Sequence, residues 1–264
     1  MDLALMNMGA VDFQTVSGAL LTGTHGSGIK EPAFPDMVRS LRLVGRHAEL
    51  IQIEPTEGIT DRAYHEANSS IRLIQDDDIF YSTVLSFGAM GIVYQIVMEV
   101  VPKYWLVESR YLDEWSNVKA QIQDGRFMQM VRSNDFLSWR INPHEIKGDH
   151  LVSIILQNRE HDPPPRWKRG MRNFIATIGG NLEFIVEGTI RVANFKPSLT
   201  PKKIQTAMCL MKYRRHKDRS YRVLFQGGAA ALRYGISSEF AFKADMNKLI
   251  EVTEEIIKQT KFYV

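Results

Sequence analysis

Along the chain the spacing of apolar and polar positions changes several times, and each change predicts an element. Ser40 to Val44 and Glu49 to Ile53 predict two short strands that form a hairpin around Gly45-Arg46-His47-Ala48. Ile92, Tyr94, Ile96, Met98 and Val100 recur at every second position, with Gln95 and Glu99 between them. That is a half-buried strand, ended by Pro102. Phe127 to Val131 and Phe136 to Ile141 predict a second hairpin turning at Ser133-Asn134-Asp135, and Leu151 to Leu156 a compact strand. Pro163-Pro164-Pro165 breaks the pattern, because consecutive prolines donate no backbone hydrogen bonds. Beyond it the period becomes helical. Trp167, Met171, Phe174, Ile175 and Ile178 share one face, stopped by Gly179-Gly180. Met246, Leu249, Ile250, Ile256 and Ile257 repeat that spacing after an Asp245 N-cap. Such stripes read as core faces, and the mixture is that of an α+β fold.

Composition leaves that picture in place. The 264 residues are 44% hydrophobic and 24% charged, ordinary for a globular protein with ample material for a core. The net charge of +3 gives no ground for nucleic-acid binding, and none is expected. The single Cys209 cannot form an internal disulfide, so nothing points to an oxidising compartment. No apolar run approaches the ~20 residues that cross a bilayer. The start, Met1-Asp2-Leu3-Ala4-Leu5, lacks the basic region and apolar core of a signal peptide. The expected location is therefore cytoplasmic or membrane-associated.

Chemistry concentrates in Thr22-Gly23-Thr24-His25-Gly26-Ser27-Gly28. Glycine permits positive φ and close approach, so consecutive N–H groups can converge on an anion. The hydroxyls of Thr22, Thr24 and Ser27 add donors for phosphate or ring-carbonyl oxygens. A plain turn is the competing explanation, and the segment is neither GxGxxG nor a P-loop. Other clusters carry less. His144, His150 and His161 lack metal-ligand spacing, and no metal site is expected. Asp76-Asp77-Asp78 serves as an acidic cap before a helix. Lys212 to Arg219 is the densest basic run. It reads as a solvated loop, with peripheral contact to anionic lipid as the alternative.

The glycine loop has a second element downstream: Asp78-Ile79-Phe80 leads into Ser86-Phe87-Gly88-Ala89-Met90-Gly91-Ile92-Val93. Together they resemble the vanillyl-alcohol-oxidase type of FAD-dependent oxidase, in its sugar-lactone, alditol and sterol oxidase branch, which includes D-arabinono-1,4-lactone oxidases. The resemblance rests on Gly18-Ala19-Leu20-Leu21 running into Thr22 to Gly28, with Asn7-Met8-Gly9 and Gln14-Thr15 ahead and Phe34-Pro35-Asp36-Met37-Val38-Arg39-Ser40-Leu41 behind. It is strong to about residue 110 and visible further on at Ser237-Ser238-Glu239-Phe240-Ala241-Phe242. Leu21 departs from it, since relatives carry a small hydroxyl residue there.

What the resemblance implies is hydride transfer from a CH–OH group of a sugar lactone, polyol or other alcohol to FAD, with oxygen as acceptor. Thr22, Gly23, Thr24, His25, Gly26, Ser27, Gly28, Ile29, Gly91 and Ile92 would face the cofactor, with His25 bracing the loop. Glu239 would orient the substrate hydroxyl as the catalytic carboxylate; a strand cap or a pair with Arg233 is the alternative. Residues 1–104 would form the C-terminal part of a two-subdomain FAD-binding domain, and 105–264 a cap of mainly antiparallel sheet with flanking helices. The family's upstream pyrophosphate loop and its downstream His-Trp segment are missing from these residues. The expectation is therefore a central piece of an oxidase, and the alternative a non-catalytic remnant that does not hold FAD stably.

Overall fold

A computed structural model describes residues 2–11, 14–164, 196–210, 216–224 and 245–260. They divide into two units, Met1–Lys103 with Leu224–Gln226, and Tyr104–Val223 with Gly227–Val264. The architecture is α+β, as the mixed periodicity predicts.

The first unit opens with β1 (Leu3–Ala4) and α1 (Val16–Leu21), then β2 (Val38–Val44) and β3 (Leu50–Glu54). α2 (Arg62–Asn68) crosses to β4 (Arg72–Gln75), α3 (Asp77–Val84) leads to β5 (Ile92–Met98), and β6 (Val101–Pro102) pairs with β1. The sheet order is β4-β3-β2-β5, with β3 and β4 parallel and the other pairs antiparallel. The β2–β3 hairpin turns at Arg46–Ala48, where His47 (φ 67°) and Ala48 (φ 59°) take left-handed conformations. One sheet face carries Leu41, Leu43, Ile51 and Ile53, packed with Leu20, Leu21, Phe80 and Val84. Asp76 ends its strand by accepting the Ile79 N–H at 2.9 Å, which starts α3 with Phe80 and Val84 one turn apart on its buried side.

The other face carries a polar seam across all four strands. Gln95 and Gln52 offer their carbonyl oxygens to Arg42, and the Gln52 amide donates to Glu54 at 2.8 Å. Thr60 Oγ1 (2.6 Å), Thr60 N (3.0 Å) and Gln75 Nε2 (3.3 Å) also donate to that carboxylate, which is fully buried. Burial pushes the Glu54 carboxyl up. The donors from Thr60 and Gln52 outweigh it and hold the group below its ordinary value.

β5 departs from strict alternation. Val93, Ile96 and Met98 pack against the core, while Ile92 and Tyr94 are exposed. The register shows why: Leu43 pairs with Val93 but Arg42 with Gln95, so Tyr94 is an extra residue in a bulge. One inserted residue moves every later side chain to the opposite face.

The second unit is a four-stranded antiparallel sheet, order β10-β7-β9-β8. Its members are β7 (Trp105–Glu114), β8 (Phe136–Ile141), β9 (Leu151–Glu160) and β10 (His216–Arg219). The helices are α4 (Trp115–Gln123), α5 (Arg126–Ser133), α6 (Thr200–Leu210), α7 (Ser220–Leu224) and α8 (Met246–Thr260). Val152 and Ile154 of β9 are buried with Trp115, Val118 and Ile122 of α4, Phe127 of α5, and Ile250 and Ile257 of α8. Trp115 stacks on Trp139, ring centres 5.6 Å apart.

Three sequence expectations change here. The Phe127–Val131 segment is helix α5, not a hairpin arm. Gly125 (φ 84°) ends α4, and Phe127, Met130 and Val131 then fall at helical spacing against the cluster. Ile256 of α8 faces solvent, and the buried face runs through Ile250, Thr253 and Ile257. Within the basic run, His216–Arg219 is not a loop but a strand on the sheet edge, with Asp218 buried. The Trp167–Ile178 helix and Lys212–Arg215 lie outside the described residues.

Candidate functional site

The glycine loop is first of all the end of a helix. The Thr15 hydroxyl accepts the Gly18 N–H at 3.1 Å and starts α1. Six residues later the helix stops. Gly23 (φ 77°) donates its N–H to Leu20 O at 3.0 Å, and Thr24 donates to Ala19 O at 2.9 Å. These are the paired bonds of a Schellman C-cap with glycine at the left-handed position. Thr22 closes the same turn, its hydroxyl donating to Gly18 O at 2.8 Å. The N–H groups of Gly23 and Thr24 are thus committed to α1, as is the Thr22 hydroxyl. Leu21, where the resemblance has a small hydroxyl residue, is buried in the core.

The next turn packs against the N-terminal segment. Asn7 is buried, bonded to Pro32 O at 3.2 Å and to Met8 N at 3.0 Å. A Cβ on Gly26 would lie 1.8 Å from Asn7 Oδ1 and 2.7 Å from Met8 O, so only glycine fits. His25 braces this turn through Nδ1, 3.0 Å from Gly26 O, the ring nitrogen donating to the carbonyl. Phe34 N donates to Thr24 O at 2.9 Å, and Glu31 N to Gly28 O at 3.3 Å. With these bonds made, the N–H groups of Gly26, Ser27 and Gly28 and the hydroxyls of Thr24 and Ser27 have no hydrogen-bond partner among the described residues. Three backbone donors and two hydroxyls in one bare turn fit the phosphate and carbonyl oxygens of a dinucleotide.

A second turn stands beside it. Phe87 donates its N–H to Leu21 O at 3.1 Å, and a Cβ on Gly23 would meet Leu85 Cδ2 at 3.3 Å. Gly91 (φ 143°) runs so close to β2 that a Cβ would lie 2.6 Å from Val44 O. Ile92 opens β5 and is 75% exposed, and Ile29 is also exposed. The backbone thus gathers residues 22–24 and 85–87 around the end of α1, with Gly91 and Ile92 following on β5. Phe87 stands in the sequence only as part of the Ser86–Val93 stretch, with no role of its own, because no periodicity marks a turn.

Glu239 lies outside the described residues. The histidines do not converge on a ligand set. His150 Nδ1 is 3.1 Å from Asn142 O, and the His144 ring is held below its ordinary pKa by burial and then by His150. Among the described residues no group of three His, Cys, Asp or Glu side chains could hold a metal ion, and Asp76 and Asp77 instead accept backbone N–H groups of Ile79 and Thr56.

No protein-family model matches the chain. It is similar to L-gulono-1,4-lactone dehydrogenase of Mycobacterium tuberculosis, 26% identical over 84% of this chain and 44% of that protein. D-arabinono-1,4-lactone oxidase of Yarrowia lipolytica is 24% identical over 54% of this chain and 25% of its own length. Mouse L-gulonolactone oxidase is 22% identical over 61% and 31%. The chain spans less than half the length of each of these relatives. Among solved structures, cholesterol oxidase from B. sterolicum shares the fold, with a TM-score of 0.50 and 14% identity over 87% of this chain and 43% of that one. These comparisons fall within the FAD-dependent oxidase type that the loop motifs resemble. In sequence the chain is a homologue of the sugar-1,4-lactone oxidases and dehydrogenases.

Proposed function

We propose that the chain is part of a FAD-dependent oxidoreductase that oxidises a CH–OH group of a sugar lactone, with other polyols or alcohols as the wider class. One observation carries this: beside Gly26, wedged against Asn7, three adjacent backbone N–H groups, those of Gly26, Ser27 and Gly28, have no hydrogen-bond partner among the described residues. The names of the homologues supply the substrate class. FAD, when bound, supplies the two-electron oxidation, and the protein's part is to hold and orient.

In this proposal residues 1–104 belong to the flavin side and 105–264 to the substrate side. Gly26, Ser27 and Gly28 donate to cofactor oxygens, with Thr24 and Ser27 adding hydroxyl donors. Thr22 and Gly23 fix the turn by ending α1, and His25 braces it. Ile29, Gly91 and Ile92 border the cofactor, and Glu239 orients the substrate hydroxyl. A small-molecule alcohol or sugar lactone is the partner.

The test is titration of the full chain with FAD, followed by flavin fluorescence, beside Gly26→Ala. The parent is expected to bind, and the variant, which must displace Asn7, to bind at least tenfold more weakly. A parent that leaves FAD fluorescence and absorbance unchanged up to millimolar concentration would replace the proposal with that of a non-catalytic remnant.

A further inference from the structure

Phe87 breaks two local preferences at once. Phe87 (φ 53°) and Gly88 (φ 82°) are the central residues of a turn closed by the Ala89 N–H on Ser86 O at 2.9 Å. Two positive φ values in succession are the signature of a type I′ turn, whose first central position favours Asn, Asp or Gly. A phenylalanine there strains its backbone. The residue is also 80% exposed, at the tip of the turn. Neither the strain nor the exposure is compensated within the turn, so packing against this unit does not explain the residue.

The surroundings say what would cover it. Leu85, Met90 and Ile92, which flank it in the chain, are 50%, 45% and 75% exposed and add further apolar surface to this stretch. This stretch is tied to the end of α1, from which the donor-bearing Gly26–Gly28 turn follows in the chain, by the Phe87–Leu21 bond and by Leu85 against Gly23. A ligand that satisfies both surfaces has anionic oxygens at one end and a flat ring at the other. We propose that Phe87 is the platform on which the isoalloxazine ring of FAD rests, while the Gly26–Gly28 turn receives oxygens of the same molecule. This rests on the flavin proposal above and adds a residue and a direction to it. Aromatic faces prefer offset stacking or edge contacts, which an exposed ring at a turn tip can offer without moving the backbone.

The platform has a test in which fold and binding move apart. In the full chain, Phe87→Gly removes the ring and relieves the left-handed strain, so its Tm is expected to equal or exceed that of the parent. Its Kd for FAD and for riboflavin is nevertheless expected to rise about tenfold. Its Kd for ADP, which lacks the isoalloxazine, is expected to stay unchanged. Phe87→Trp provides the second readout: on binding, the indole is expected to quench flavin fluorescence more deeply than the parent does. Equal riboflavin affinity in the parent and Phe87→Gly, or no added quenching in Phe87→Trp, would overturn the platform and leave the flavin proposal standing. A parent that binds neither FAD nor riboflavin would overturn that proposal itself.

Discussion

Both units contain a four-stranded sheet, yet they use it in opposite ways. In the second unit β7 and β9 pair without interruption from Trp105–Glu160 to Glu114–Leu151, and the helix-facing residues of β9 meet α4, α5 and α8. In the first, β2 and β5 slip register twice, and the start of β5 is left with Ile92 and Tyr94 in solvent. The regular sheet completes a core. The irregular one completes a core on one face while keeping one corner bare beside the glycine turn. Unbroken pairing marks a sheet covered by its own chain, and bulges and positive φ values mark the place where the chain holds back.

Paired isoleucines give the widest test of that contrast. Ile154→Thr puts a hydroxyl where no solvent reaches and is expected to cost about 2–3 kcal/mol of stability by denaturant unfolding. Ile92→Thr is expected to stay within about 0.5 kcal/mol. Equal losses would erase the distinction. Gly91→Ala asks whether the bare corner is nonetheless built. Its φ of 143° and the 2.6 Å approach to Val44 O predict a loss of about 2 kcal/mol, seen as a lower Tm.

The caps come next. Asp76→Ala removes the N-cap of α3 and is expected to cost about 1 kcal/mol, read from the same unfolding curves. Acid sharpens the comparison most finely, because Glu54 belongs to the first unit alone. Its folded pKa lies below the ordinary value of ~4.3, so its stabilisation is complete above that pH and fades as pH falls through the folded pKa. Thr60→Val removes a donor and leaves burial less opposed. The acid-induced loss, followed by circular dichroism and by the fluorescence of the first unit's tyrosines, is then expected to begin at higher pH than in the parent.

Local chemistry was legible wherever one residue acts on its immediate neighbours. Asp76 and Asp245 were readable as caps, and both accept helix N–H groups. The β2–β3 hairpin was readable from two apolar runs a few residues apart around Gly45, although His47 and Ala48 are not residues that favour the left-handed turn they adopt. The glycine loop was readable as a bare turn, but not as a helix C-cap that commits two of its N–H groups, since α1 is too short to announce itself by periodicity. The Phe127 helix was missed because its apolar run fits a strand as well as a helix over so few residues, and contact with α4 and β9 decides between them.

By itself the sequence determined the α+β class, the bare turn and the relationship to flavin-dependent oxidases, because each rests on residue types at short, fixed spacing. Only the tertiary structure decided that Gly26 must yield to Asn7, that Tyr94 bulges, and that Phe87 stands at the tip of a strained turn. Those outcomes depend on distances between segments far apart in the chain. Such distances are set when strands choose a register and a helix end finds its neighbour, and no local pattern carries them.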